Sequence, residues 1–221
     1  IIGSSLSLWL KEDGLSRSTI GWAGLIFAVY AFNYLWAPII DRVRIPWLTN
    51  KIGHRRGWIV LMQTIILISL IFWSVINPVT NLALVISIGL IIAIASATQD
   101  ITVDALRIEQ IGESEGKSMQ AGAAMAVVGW WTGYKLGGVI SLSTAEFFQK
   151  LGFENYWQIT FLVLGGVIIA CNIGLMFVHE SSPTGRQEAQ SEFDRIIEDK
   201  LSSKTNKTAD LLAKYFTWIV G

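Results

Sequence analysis

The stretch "ATQDITVDALRIE", residues 97–109, decides how the chain is read. It follows directly on an almost wholly aliphatic run from Leu82 to Ala95, and it places Asp100, Asp104, Arg107 and Glu109 at helical spacing. A helix needs about 20 apolar residues to cross a bilayer. Asp100 lies eighteen residues beyond Leu82, or ~27 Å along a helix rising 1.5 Å per residue. That puts it toward one edge of the hydrocarbon rather than at its centre. Asp100, Asp104 and Arg107 fall at i, i+4 and i+7, so they share one face, with Gln99 one step around. Charges at such depth face protein or water, not lipid.

Composition agrees with a membrane setting. Apolar residues make up 52% of the chain and charged residues 15%, against roughly 25% charged in a soluble domain. Mean hydropathy is +0.49. Twenty Gly and ten Trp fit membrane helices and their interfaces. The single Cys171 lies in an apolar run and reads as a small buried hydrophobe. A net charge of zero suggests no nucleic-acid partner.

Working outward, the chain divides into an N-terminal transmembrane bundle over residues 1–178, with spans at about 1–10 (partial), 19–40, 57–76, 82–108, 118–148 and 157–178. The stretch 77–81, NPVTN, is a tight turn in which Pro78 fixes φ. Residues 179–210 form a polar linker, in which Phe193, Ile196, Ile197 and Leu201 mark a candidate amphipathic helix. Residues 211–221 open a seventh span. The chain is expected to be a fragment of a longer one. Counted by alternate loops, Arg42, Arg44, Lys51, Arg55, Arg56, Arg107, Lys117 and the linker's basic residues lie on one side, and only Lys11, Arg17 and Lys150 on the other. The basic side is cytoplasmic by the positive-inside rule. Six spans, a long cytoplasmic linker and a seventh span are the plan of a two-bundle secondary transporter.

The charged helix end admits three readings. Asp104, Arg107 and Glu109 can pair with Asp41, Arg42, Arg55 and Arg56 of "DRVRIPWLTNKIGHRRGW", residues 41–58, as a latch at the cytoplasmic end. Asp100 can line a transport path and carry a proton, because apolar neighbours favour its neutral form. Asp100 and Asp104 can instead hold Mg²⁺ for an intramembrane transferase, although the second acid cluster such chemistry needs is absent from the span ends. In "GAAMAVVGWWTGYKLGG", residues 122–138, Gly129, Gly133 and Gly137 recur every four residues and invite close helix packing. Lys135 falls about 200° around from Gly133. An amine inside a span is a functional candidate by default, with Tyr134 beside it. Asn33 is the buried polar group of the second span. No metal site is indicated.

Taken together, "FNYLWAPIIDRV" (32–43), "GHRRGW" (53–58), "SATQDITVDALRIE" (96–109) and "GYKLGG" (133–138) resemble the AmpG-like muropeptide permeases, members of the major facilitator superfamily related to the acetyl-CoA transporters. The resemblance covers residues 1 to about 180. It implies an all-α integral membrane protein of twelve helices in two six-helix bundles, of which this chain holds the first. It implies a bacterial inner-membrane importer, not an enzyme, that takes up anhydro-muropeptides with protons and so serves peptidoglycan recycling. No cofactor is implied beyond the proton gradient. The expected partners are a small-molecule substrate, the lipid bilayer and the C-terminal half of the same chain. Asp41, Asp100, Asp104 and Lys135 are the carried-over polar set, with Arg common in the family at the place of Lys135. One departure stands out: the family usually has Lys where this chain has Asn33. A transporter of the same fold for a siderophore, acetyl-CoA or a drug is the alternative.

Overall fold

The computed structural model describes residues 2–43, 45–111 and 116–177. The linker 179–210 and the stretch 211–221 lie outside the described residues. Every element among the described residues is helical. Helix α1 spans Ile2–Glu12 and α2 spans Arg17–Gly24. Ser16 caps α2, its Oγ accepting the Thr19 amide at 3.2 Å. A 3₁₀ turn at Leu25–Ala28, α3 (Val29–Phe32), a second 3₁₀ turn at Asn33–Leu35 and α4 (Ala37–Arg42) follow.

The second span is therefore broken rather than continuous, and the sequence explains the break. Pro38 has no N–H to give, and its ring crowds the carbonyl four residues back, at Tyr34. Phe32 and Trp36 take up the bend near φ −112° and −107° with ψ close to zero, the sparsely populated bridge region. The ladder resumes when the Ile40 amide reaches the Trp36 carbonyl.

Beyond Asp41, α5 (Pro46–Ile52) lies across the start of α6 (His54–Trp73). Gly53 joins them at φ +97°, a conformation open to glycine and costly for other residues. Gly57 then lets α5 approach, since a Cβ there would sit 3.2 Å from the Leu48 Cβ. The Asn77 side chain accepts the Val79 amide at 2.9 Å around Pro78, closing the turn read from NPVTN. Helix α7 runs Leu82–Ile111, α8 Gly116–Lys150 and α9 Tyr156–Met176. Among the described residues, four segments are long and apolar enough to cross a membrane: Arg17–Leu35, His54–Trp73, Leu82–Gln110 and Tyr156–Met176. Helix α8 is the longest but is diluted by Gly, Ser, Thr and Lys.

Helix α6 is the hub, packing against both α7 and α9, while α8 packs on α9 and touches α1. Ser5 and Ser141 hydrogen-bond at 2.6 Å where α1 meets α8. The core holds an aromatic cluster. Trp9, Trp73 and Phe161 are buried with ring centroids 4.9–5.9 Å apart, the offset and edge contacts that quadrupoles favour. The Trp73 indole donates to the Val85 carbonyl at 3.2 Å. Large apolar residues such as Ile71, Phe72 and Ile169 are left on the outside, as expected of helices solvated by lipid rather than water.

Candidate functional site

Arg55, at the first turn of α6, gathers charge from two other helices. Its Nε and Nη2 both reach Glu109 Oε1 on α7, at 2.9 and 2.8 Å. Its Nη1 donates to Asp41 Oδ1 at the end of α4. The guanidinium fork suits this double engagement, which a single ammonium could not span. Arg55 is 11% exposed, Glu109 20% and Asp41 45%. Three of the seven expected latch residues thus meet at one guanidinium. Arg107 pairs with Asp104 of its own helix at 3.2 Å, and Arg56 donates to the Met176 carbonyl of α9 at 3.0 Å. Arg42 is half-buried at the end of α4. Arg55 thus joins three helices of the fastening, and Asp104 and Arg107 form a local pair on α7.

The polar face of α7 begins at Ser96. Asp100 is exposed on it and Gln99 half-buried, whereas Thr98 and Thr102 turn into the packing against neighbouring helices. Tyr30 of α3 lies against Ser96 and near Asp100. It was not singled out in the sequence, because an aromatic in an apolar run carries no signal of its own. Asn33 is half-buried in the broken part of the second span. Among the described residues, no hydrogen bond or ion pair joins Asn33, Asp100 and Lys135. No group of three or more His, Cys, Asp or Glu side chains gathers there as a metal-holding set.

Helix α8 offers its own polar element. Lys135 is exposed, with Nζ 5.9 Å from the centre of the Trp131 ring, within cation–π range. Tyr134 stacks on Trp130 at 5.8 Å and 8°. The expected helix-packing stripe is divided among the described residues. Gly137 is buried, but Gly129 and Gly133 are exposed, and a Cβ at either would meet nothing within 4 Å. The reason is geometric: α8 packs on α1 and α9 through Gly137, Ser141 and Ala145. The turn that carries Gly129 and Gly133 is open on their face.

The opposite end holds a clasp that the sequence did not announce. Glu12, closing α1, accepts from the Tyr156 hydroxyl at 2.8 Å and the Trp157 indole at 2.7 Å, both opening α9. The partners are 144 and 145 residues apart. Gln63, in mid-α6, is also buried, and its Oε1 has no hydrogen-bond partner among the described residues.

A bundle of long apolar helices, fastened by charge at its ends and carrying isolated charges along exposed helix faces, has the form of a polytopic membrane protein. The sequence pattern of the Major Facilitator Superfamily matches residues 1–220. The chain belongs to that superfamily. Within it, the chain is similar to Putative transporter AmpG 4 of Rickettsia felis, 31% identical over 180 residues that make up 81% of this chain and 41% of that protein. It is also similar to the Anhydromuropeptide permease of Escherichia coli strain K12, 29% identical over 184 residues, 83% of this chain and 35% of that protein. Putative transporter AmpG 1 of Rickettsia felis is 33% identical over 172 residues, 77% of this chain and 38% of that protein. The chain spans well under half the length of the curated relatives it matches. Membership in this superfamily makes it part of a multi-pass membrane protein of transporter type, and the names of these relatives are those of transporters and permeases, not enzymes.

Proposed function

We propose that this chain is the N-terminal bundle of a proton-coupled importer of anhydro-muropeptides, working by alternating access in a bacterial inner membrane. The similarity to the anhydromuropeptide permease, over 83% of the chain, is the observation that carries the reading. The positions of the charges support it. Asp100 and Lys135 lie exposed on two long helices of a membrane bundle, where an ionisable group is expensive unless it faces a path or a partner. Lys135 draws an anionic group of the cargo, a lactyl or peptide carboxylate, by charge-assisted hydrogen bonds. Asp100 takes up and releases the coupled proton, and its protonation biases the swing between outward and inward states. Gln99, Tyr134 and Asn33 supply neutral hydrogen bonds along the path. The Arg55 centre sits at the cytoplasmic end, the linker 179–210 joins the two bundles on that side, and the C-terminal half closes the path.

Uptake of labelled anhydro-muropeptide by the full-length protein in proteoliposomes tests the reading, with and without an inward proton gradient. Gradient-driven uptake that is lost in Lys135→Ala, with Asp100→Asn uncoupled from the gradient, is the expected result. Full uptake in both variants at equal expression would remove the assigned roles. A second cargo class is favoured by Asn33 alone: the neutral amide stands where the resemblance expects a lysine, which changes the charge that a cargo or coupling ion meets. A siderophore, acetyl-CoA or drug driving uptake where the muropeptide does not would establish that alternative.

A further inference from the structure

Helix α6 meets α9 along an antiparallel seam whose register is set by three contacts. Arg56 Nη2 donates to the Met176 carbonyl at 3.0 Å. A Cβ on Gly165 would sit 3.6 Å from Leu67 Cδ2, and the Trp73 and Phe161 ring centroids are 5.2 Å apart. As α6 runs from Arg56 through Leu67 to Trp73, α9 therefore runs back from Met176 through Gly165 to Phe161. Gln63 and Asn172 both fall on this seam. At 100° per residue, Gln63 lies within ~40° of Arg56 and Leu67, and Asn172 within ~40° of Phe161, Gly165 and Met176. Interpolation between the contacts sets Gln63 level with Ile169, which is ~4.5 Å along the axis from Asn172. The side chains also lean toward each other, because a helical Cα–Cβ bond tilts toward the N-terminus. Helix α6 begins near Arg56 and α9 ends there, so Gln63 leans toward that end and Asn172 away from it. Asn172 lies on the Arg56 side of Gln63, and the two amides converge.

The chemistry of this junction is incomplete. Gln63 is 8% exposed and stands midway along the 20-residue α6, near the centre of a ~30 Å hydrocarbon core. Its Oε1 and the Asn172 Oδ1 are both buried with no hydrogen-bond partner among the described residues. A buried oxygen without a donor is costly, and the bilayer core supplies no solvent to provide one. Two acceptor oxygens cannot satisfy each other. One water carries two donors, one for each oxygen, and the amide NH₂ groups can donate back to it. That gives it the two to four polar partners a buried water needs. We infer that Gln63 and Asn172 form a binding site for one structural water, which bridges α6 to α9 in the middle of the membrane. The bridge fixes the register of α9 on the hub helix. Rotating either helix by one residue turns its amide ~100° out of the seam and strands the other. The site uses the membrane setting alone and is independent of the cargo and of the Arg55 centre.

A density map of the full-length protein in nanodiscs, sharp enough to show ordered water, tests the site directly. One peak within hydrogen-bond distance of both amides is expected. Amides bonded directly to each other, or turned apart with no peak between them, overturn the inference. The map needs no variant, so the question stays decidable should a substitution prevent folding. Unfolding of the full-length protein in mild detergent gives the second measurement. Gln63→Leu or Asn172→Leu alone strands the remaining amide, and each should lower the folded-to-unfolded ratio about tenfold. With both replaced, no donor is needed, and the double variant should recover most of that loss. Losses that simply multiply in the double variant overturn the bridge. Exchanging sodium for choline at constant ionic strength should leave the ratio unchanged. A requirement for sodium would assign the two oxygens to a cation and overturn the water.

Discussion

Arg55 gives the sharpest quantitative test. Its two arms differ in exposure, so they differ in strength. Glu109, 20% exposed, receives two guanidinium nitrogens, and a hydrogen bond to a charged group contributes ~1.5–3 kcal/mol. Asp41, 45% exposed, lies closer to the regime of surface pairs at ~0–1 kcal/mol. Glu109→Gln keeps the shape and removes the charge, and should cost ~2 kcal/mol. Asp41→Asn should cost under ~1 kcal/mol. Arg55→Ala strands a largely buried carboxylate and should cost ~3–5 kcal/mol, with Arg55→Lys between, because one ammonium holds one arm. The assay is denaturant unfolding of the purified full-length protein in mild detergent, followed by near-UV circular dichroism, with a double-mutant cycle for each arm. Added salt should erode the Asp41 coupling more than the Glu109 coupling. If Asp41→Asn proves as damaging as Glu109→Gln, or the Arg55–Glu109 coupling is near zero, the exposure-based reasoning fails.

Four further perturbations follow from the structure. Glu12→Ala leaves the buried Trp157 indole without its acceptor and should cost ~1–3 kcal/mol, read as a lowered unfolding midpoint that Tyr156→Phe reproduces only in part. Gly89→Val drives a side chain into the Ile26 Cδ1 and the Trp73 ring, which a Cβ would already meet at 3.0 and 3.2 Å, at ~1–3 kcal/mol. Gly129→Ala and Gly133→Ala should leave the stability of this bundle unchanged, so an effect on transport would report contact with the rest of the protein. Burial, then the neighbouring Glu12 charge, raises Asp13, while a hydrogen bond from Trp9 opposes the shift. A raised carboxyl favours the protonated folded state, so stability falls as pH rises from the ordinary carboxylate value through the folded one. Asp13→Asn should therefore stabilise at neutral pH, and the gain should vanish once the pH falls below that ordinary value.

Much of this was legible in the chain because membrane helices declare themselves one at a time. The aliphatic run from Leu82 and the charges from Asp100 to Glu109 are local signals, and they place a long helix with a charged end. The pairing of 41–58 with that end was readable as charge complementarity, but only the fold could select Arg55 over Arg42 or Arg56, since that depends on which side chain the start of α6 aims inward. The break at Asn33–Leu35 was written in Pro38, yet hydropathy runs smoothly through it. The Glu12 clasp was not readable, because its partners are a helix end and an aromatic pair distant in sequence. The glycine stripe was readable only in part: small residues show where a helix can be approached, not what approaches it.

The helix lengths carry a mechanical consequence. Helices α6 and α9, of 20 and 21 residues, are ~30 Å long, the thickness of an average hydrocarbon core. Helices α7 and α8, of 30 and 35 residues, are ~45 and ~52 Å. In a thicker or thinner bilayer the long pair only shifts its waterline, whereas the short pair must tilt or draw the lipid toward it. Because α6 packs against both α7 and α9, and also carries Arg55, membrane thickness acts on the guanidinium centre through a helix that has no length to spare.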